Sequence, residues 1–142
     1  MFIGIQASGK STFYKNNFFN THLRISNDLL KTKNREKLLM EFCFGTRMPF
    51  VIDNTNPTRE VRGKYTGLIK QAGFKLRGFY FRTDLKQSLE RNKTREGKEC
   101  IPEAGILAVY KRLELPSPSE GFDELYYVDI LNGNFVIKEW EE

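Results

Sequence analysis

The segment GIQASGKS, residues 4–11, carries two glycines, a lysine and a hydroxyl at the spacing G-x-x-x-x-G-K-[S/T]. Glycines in such a loop let successive backbone N–H groups point inward, where they can donate to phosphate oxygens. A lysine at position 10 can reach the terminal phosphates, and a hydroxyl at position 11 is a ligand for Mg²⁺. The pattern predicts a phosphate-binding loop for a nucleoside triphosphate. The residues expected to contact that nucleotide are Ala7, Ser8, Gly9, Lys10, Ser11 and Thr12.

An aspartate follows the apolar run FVI, residues 50–52, and it is the candidate for a second group on the metal. A carboxylate at a strand end beside a phosphate-binding loop can act on Mg²⁺ directly or through a water molecule. Asp53 and Asn54 are also ordinary turn residues ahead of Pro57. The phosphate-binding loop favours the metal role for Asp53.

Asp28 follows a predicted strand at residues 22–26, and its residue type fits two roles equally well. It can stabilise the first turn of a helix that Ser26 or Asn27 caps. It can also act as a general base that accepts the proton of an attacking hydroxyl.

Arg91 and Arg95 are four residues apart in a predicted helix, so they would share one face. Like charges at that spacing repel unless an anion lies between them, and a transferring phosphoryl group is such an anion. The alternative is an exposed basic face paired with neighbouring glutamates. The stretch EGKEC, residues 96–100, follows and suits the hinge of a mobile lid.

The elements that must position these residues alternate between strands and helices. The predicted strands are 1–5, 22–26, 49–53, 74–81 and 124–130, with a hairpin partner at 135–140 after the Asn132–Gly133 turn. The predicted helices are 10–19, 27–46, one with Pro57 in its first turn that Gly73 ends, one that Asp84 caps and that runs to about residue 96, and 102–115.

This alternation predicts an α/β fold with a mainly parallel five-stranded sheet flanked by helices and a C-terminal hairpin strand. Ligands of such sheets bind at the carboxyl ends of the strands, where the candidate residues lie. We expect the second strand to lie beside the first, which would bring Asp28 close to the γ-phosphate.

The composition sets further bounds. The 142 residues favour a single domain, residues 1–142, and twelve phenylalanines predict an aromatic core. No apolar run approaches the roughly 20 residues of a membrane span, and no signal peptide is visible, so a cytoplasmic location without membrane contact is expected. Cys43 and Cys100 are expected to be buried free thiols. The net charge of +5 is compatible with an anionic ligand.

Taken in order, several segments resemble the kinase domain of the polynucleotide 5′-hydroxyl kinases, a family of P-loop kinases. The similarity runs from about residue 2 to about residue 127 through GIQASGKSTF, SND, IDNTNPTREVRGKY, AGFKLRGFYF, ERNKTREGKECIP and ELPSPSEGF. The first motif is common to many nucleotide triphosphatases, whereas IDNTNP and R-N-x-x-R…I-P are far more specific.

The resemblance implies a P-loop kinase fold and an ATP-dependent, Mg²⁺-dependent transferase acting on the 5′-hydroxyl of DNA or RNA, as in nucleic-acid repair. Lys10 and Ser11 match the phosphate lysine and the magnesium ligand, Asp28 matches the general base, and Arg91 and Arg95 match lid arginines on the ATP phosphates. Thr55 and Asn56 fall in a segment that lines the acceptor path.

The chain departs from the family where Asn-Arg-Asp is usual and Ser26-Asn27-Asp28 stands here, so an arginine for the acceptor phosphate is missing. Lys31, one turn on, is the candidate substitute. Two other functions stay open: a kinase of a nucleoside, sugar-nucleotide or other small molecule, and a non-catalytic nucleotide-binding switch. The residues do not decide between ATP and GTP, nor do they define the oligomeric state.

Overall fold

The computed structural model describes residues 1–141, in which strands and helices alternate along the chain. The strands are β1 (Phe2–Ile3), β2 (Leu23–Ile25), β3 (Phe50–Ile52), β4 (Arg77–Phe81), β5 (Glu124–Leu131) and β6 (Asn134–Glu139). The helices are α1 (Lys10–Asn17), α2 (Asn27–Leu30), α3 (Lys33–Thr46), α4 (Arg59–Gln71), α5 (Leu85–Lys93) and α6 (Glu103–Arg112). Short 3₁₀ helices cover Gly97–Glu99 and Pro118–Glu120.

The strands form two hydrogen-bonded groups. One has the order β1-β4-β5-β6, and the other pairs β2 with β3. All pairs are parallel except β5 with β6, which run antiparallel. Asn132 and Gly133 join those two strands, both with positive φ, as a tight two-residue hairpin turn requires. The predicted α/β class, the mainly parallel sheet and the C-terminal hairpin strand are therefore confirmed.

The segment after β3 connects the two groups of strands. The Gly4 N–H donates to the Thr55 carbonyl at 3.0 Å, and Asn56 Nδ2 donates to the Phe2 carbonyl at 2.7 Å. An amide side chain thus replaces a ladder hydrogen bond beside β1, which is only two residues long. The segment after β3, and not β2, is the neighbour of the phosphate-loop strand on this side, so the expectation that the second strand lies beside the first is wrong.

The predicted helix over residues 27–46 is two helices. Lys31 takes a left-handed conformation with φ of 69° and ends α2. Thr32 then caps α3, because its side chain accepts from the Arg35 N–H at 3.2 Å. The break confines Asp28 to a helix of one turn.

Other predicted boundaries also need correction, among them three that belong to helices α4, α5 and α6. Helix α4 begins after the N-cap residue Thr58, so Pro57 precedes the helix instead of lying in its first turn. Helix α5 ends at Lys93 and α6 ends at Arg112, both short of the predicted limits. Because α5 ends at Lys93, Arg91 and Arg95 do not share a helix face.

Aromatic packing holds α1 against the sheet, as the phenylalanine content predicts. Phe13 of α1 lies with its ring centre 5.6 Å from that of Phe2 and 5.3 Å from that of Phe81. This cluster fixes the helix that starts at the phosphate loop. The two cysteines differ, because Cys43 is buried as expected and Cys100 is exposed, in an irregular segment that offers it no core.

Within residues 1–141, no helix is both long enough and apolar enough to cross a membrane.

Candidate active site

The phosphate loop lies between β1 and α1, at the carboxyl end of the sheet. Gly9 has a φ of 98° and stands just before the first residue of α1. A Cβ atom at Gly9 would lie 3.0 Å from Ile130 Cδ1 and 3.2 Å from Phe135 Cε1. Both the backbone angle and the close packing against the hairpin therefore require glycine here. The loop brings backbone N–H groups and the amino end of an eight-residue helix to one point, which is an anion site.

Lys10 points back into this loop. Its Nζ donates to the Gly4 carbonyl at 3.0 Å, to the Ile5 carbonyl, and to Ser8 Oγ at 3.3 Å. Burial lowers the pKa of Lys10 to about 8, with Arg95 adding to the decrease and Asp53 and Asp28 opposing it. The ammonium group is thus held by neutral carbonyls and has no direct ion pair among the described residues.

Ser11 and Asp53 lie together, as a shared metal role requires. Ser11 Oγ donates to Asp53 Oδ2 at 3.4 Å, and the Asp53 carboxylate is buried. Residues 1–141 contain no cluster of three or more His, Cys, Asp or Glu side chains that could hold a metal. One hydroxyl and one carboxylate still suit Mg²⁺, because this ion prefers oxygen ligands, keeps several waters and takes others from a substrate phosphate.

Asp28 lies in the short helix α2 at the end of β2, and its side chain is exposed. Ser26 occupies the N-cap position but its side chain makes no capping bond. Asn54 takes over that function from the loop after β3, since its Oδ1 accepts from the Asn27 N–H at 2.8 Å. Asp28 is close enough to Lys10 to raise its pKa. The structure therefore places Asp28 on the phosphate-loop side of the molecule, across the end of β3.

The two arginines predicted to act in a lid differ in their contacts with the phosphate loop. Arg91 Nη1 donates to the Ala7 carbonyl at 3.0 Å, and Nη2 donates to Gln87 Oε1 at 2.9 Å. Arg95 follows α5, and its positive charge lowers the pKa of Lys10. Arg95 lies in the segment between Asn92 and Ile101, and these two residues are bound to each other. The Asn92 amide donates to the Ile101 carbonyl at 2.6 Å and accepts from the Ile101 N–H at 2.9 Å.

The remaining candidates have different surroundings. Thr12 and Lys31 are exposed, and Lys31 ends the helix of Asp28. Thr55 is half-buried, and its carbonyl accepts from the N–H of Gly4, the residue that follows β1. Asn56 is 1% exposed, and its amide is bound to the Phe2 carbonyl, so its described contacts support the loop and not an open path.

Sequence patterns missed three residues that organise this site, namely Arg24, Asn54 and Asn92. Arg24 donates to Asp53 and to Ser11 from β2. The one signal for it is an arginine inside a short apolar strand, next to the buried Ile25. Asn54 and Asn92 are common loop and helix residues, and no spacing distinguishes them from solvent-facing ones.

Comparison with known proteins agrees with this architecture. A family model described as an AAA domain matches residues 32–116, which is more than half of the chain and begins after the phosphate loop. A gluconokinase from Sinorhizobium meliloti 1021 has a similar structure, with a TM-score of 0.60 and 20% identity; the alignment covers 90% of this chain and 79% of that one. At that identity the likeness shows the fold alone.

Two curated relatives are similar in sequence. A bifunctional polynucleotide phosphatase/kinase of Schizosaccharomyces pombe is 26% identical over 124 residues, which is 84% of this chain and 30% of the relative. A putative bifunctional polynucleotide phosphatase/kinase of Acanthamoeba polyphaga mimivirus is 32% identical over 130 residues, 87% of this chain and 31% of the relative. The chain thus spans about three tenths of the length of each.

Proposed function

Because this chain belongs to the AAA domain family, we propose that residues 1–142 form a single kinase domain that transfers the γ-phosphate of ATP to the 5′-hydroxyl of DNA or RNA. One observation carries the proposal. The phosphate loop, the Ser11–Asp53 pair and Asp28 all lie at the carboxyl ends of β1, β2 and β3. A triphosphate, a metal ion and a proton acceptor are the components that phosphoryl transfer to a hydroxyl needs.

The residues divide these tasks. Lys10 and the loop N–H groups bind the β- and γ-phosphates, and Arg91 and Arg95 cover them from the other side. Ser11 and Asp53 would hold Mg²⁺, which when bound neutralises charge on the phosphates. Asp28 accepts the proton of the attacking hydroxyl. The hydroxyl oxygen bonds to the γ-phosphorus, and the nucleoside diphosphate leaves as the bond between its terminal oxygen and that phosphorus breaks.

We favour a nucleic acid end as the acceptor because Asp28 is exposed and exposed cations follow it along the chain. Exposed Lys31, Lys33 and Arg35 follow it directly along the chain, where they can contact polymer phosphates. The cavity of about 440 Å³ is lined by residues at the amino ends of the strands, including Pro49 and Leu76, so it is not a pocket for the acceptor at this site. The names of the two curated relatives support the same acceptor class.

Incubation with γ-labelled ATP and Mg²⁺ tests the proposal directly. Separate reactions contain 5′-hydroxyl DNA, 5′-hydroxyl RNA, the same oligonucleotides with a 5′-phosphate, and a panel of nucleosides and sugars. We expect label on the 5′-hydroxyl oligonucleotides and none on their phosphorylated controls. Label on a nucleoside or sugar alone would contradict the acceptor class. ATP binding without label on any acceptor would favour a nucleotide-binding switch.

Lys10→Ala is expected to lower phosphoryl transfer by a factor of at least about 10²–10³ while the protein stays folded. Loss of one positioned stabiliser of transition-state charge typically costs about 10²–10³ in kcat. Lys10 has no ion pair within residues 1–141, so its removal leaves no partner charge buried in contact with it. Steady-state kinetics and circular dichroism of the purified variant measure the two effects. Turnover near that of the wild type would rule out the assigned role.

Nucleotide binding near pH 8.5 is expected to take up a proton at Lys10. The pKa of Lys10, about 8, lies below that of an exposed lysine, so at pH 8.5 part of the nucleotide-free protein has a neutral Lys10. Phosphate anions favour the charged form of this lysine. Calorimetry in buffers of different ionisation enthalpy measures the uptake. Lys10→Arg is the matched control, because arginine stays charged and should remove the buffer dependence. Equal buffer dependence in both proteins would contradict this prediction.

A further inference from the structure

Arg24 of β2 lies between the two groups that are assigned to the metal. Its Nε donates to Asp53 Oδ2 at 2.8 Å, and its Nη2 donates to Ser11 Oγ at 3.0 Å. The two accepting oxygens, Asp53 Oδ2 and Ser11 Oγ, are themselves 3.4 Å apart. A cationic guanidinium therefore already satisfies the oxygens that would bind a divalent cation.

The burial of the pair makes this contact electrostatically important. The Asp53 side chain is 3% exposed and that of Arg24 is 29% exposed. A carboxylate buried to that extent is costly without a nearby positive charge. Within the described part of the chain, Arg24 makes the one ion pair to Asp53, so it supplies that charge. The Arg24 side chain is partly open to solvent, unlike that of Asp53.

We propose that Arg24 makes divalent-metal binding at Ser11 and Asp53 conditional on nucleotide. In the absence of nucleotide, Arg24 neutralises Asp53 and competes with a free cation for its oxygen. A bound triphosphate adds several negative charges beside the pair, which offset the repulsion between a metal ion and the guanidinium. The inference rests on the metal assignment within the proposed function, and it adds a positioning residue that sets the order of ligand binding.

Mn²⁺ titration of the nucleotide-free protein, followed by electron paramagnetic resonance, tests this role. Wild type is expected to bind Mn²⁺ weakly, and Arg24→Met should bind it at least about tenfold more tightly because a neighbouring positive charge is gone. Arg112→Met is the matched control, since exposed Arg112 donates only to the Ala108 carbonyl at 3.4 Å. Asp53→Asn in the Arg24→Met background should remove the gain.

Recovery of thermal stability by Mn²⁺ gives a second readout, which loss of a purely structural arginine would not produce. Arg24→Met is expected to lower Tm because Asp53 loses its partner, and Mn²⁺ should restore part of that loss in this variant alone. Arg24→Gln, which keeps a hydrogen-bond donor without the charge, provides the same measurements if the methionine variant fails to fold. It should also bind Mn²⁺ more tightly than wild type.

Two results would overturn the inference and they have different causes. If wild type binds Mn²⁺ only with nucleotide while the neutral variants gain no affinity without it, Arg24 has no gating role and the proposed function stands. If wild type binds no Mn²⁺ even with nucleotide, the metal assignment itself fails, and the inference fails with it.

Discussion

Replacing Arg95 with alanine is expected to lower kcat by about 10³–10⁵, the range measured for arginines that reach over a transferring phosphoryl group. Arg95 lies just past α5, and its charge already acts on Lys10. Its guanidinium makes no hydrogen bond or ion pair with any residue from 1 to 141, so it is free to bind phosphate. Arg91, in contrast, is bound to Ala7 and Gln87. We therefore expect Arg91→Ala to have the smaller effect on kcat.

Pre-steady-state and steady-state kinetics of Arg95→Ala and Arg91→Ala measure the two losses in kcat. Lys98→Ala is the matched control, because Lys98 is an exposed cation in the same segment between α5 and α6. Arg95→Lys should recover part of the lost rate, since it keeps the charge but not the planar donor geometry. Small and equal changes in KM for both arginine variants would mean that the pair is a solvated basic face.

Asp28→Asn is expected to lower kcat by about 10²–10⁴, the usual contribution of a positioned general base. ATP affinity should be unchanged, because Lys10, Ser11 and Asp53 bind the nucleotide and the metal. The fold should be unaffected as well. Asp28 is exposed, and the amino end of its helix is capped from outside by Asn54. Calorimetry with ATP and a transfer assay on one preparation give both quantities.

The neighbouring exposed residue Leu29 provides the control for Asp28, since Leu29→Ala alters the same short helix without touching a titratable group. Asp28→Glu should retain more activity than Asp28→Asn, because it keeps a proton acceptor at a displaced position. Undiminished transfer in Asp28→Asn would mean that Asp28 is not the general base and has only a place in the first turn of its helix. Loss of ATP binding in that variant would instead assign Asp28 to the metal shell.

The fold class and the location of the site followed from local patterns. The spacing of Gly4, Gly9 and Lys10 defines a phosphate loop because backbone sterics and donor geometry act within a few residues. The same holds for the Asn132–Gly133 turn and for Asp84, which caps α5 by accepting from the Gln87 N–H at 2.9 Å, as predicted. The rule that ligands bind at the carboxyl ends of parallel strands then indicated where to look.

The boundaries of helices were less well predicted, because a local cap competes with the helical pattern. Apolar residues recur between positions 27 and 46 as they would in one helix. The chain nevertheless turns at Lys31, and the Thr32 side chain then accepts from the Arg35 N–H and starts a second helix. A similar limit separates Arg91 from Arg95, which are four residues apart in sequence but are not on one helix face. Hydrophobic spacing indicates which face of a segment is apolar, but it does not indicate where a capping side chain interrupts the helix.

Strand order and the contacts of Arg24 were decided by tertiary structure alone. Arg24 and Asp53 are 29 residues apart and meet because β2 pairs with β3 in a register that places Arg24 opposite Val51. Asn56 reaches Phe2 across 54 residues and attaches the segment after β3 to β1, so β2 pairs with β3 and not with β1. A sequence specifies which residues prefer a strand, but the partner of each strand depends on the free energy of packing the whole sheet. The sequence therefore determined which residue types the candidate site contains, whereas the position of Asp28 and the bridge made by Arg24 depend on how the strands are ordered.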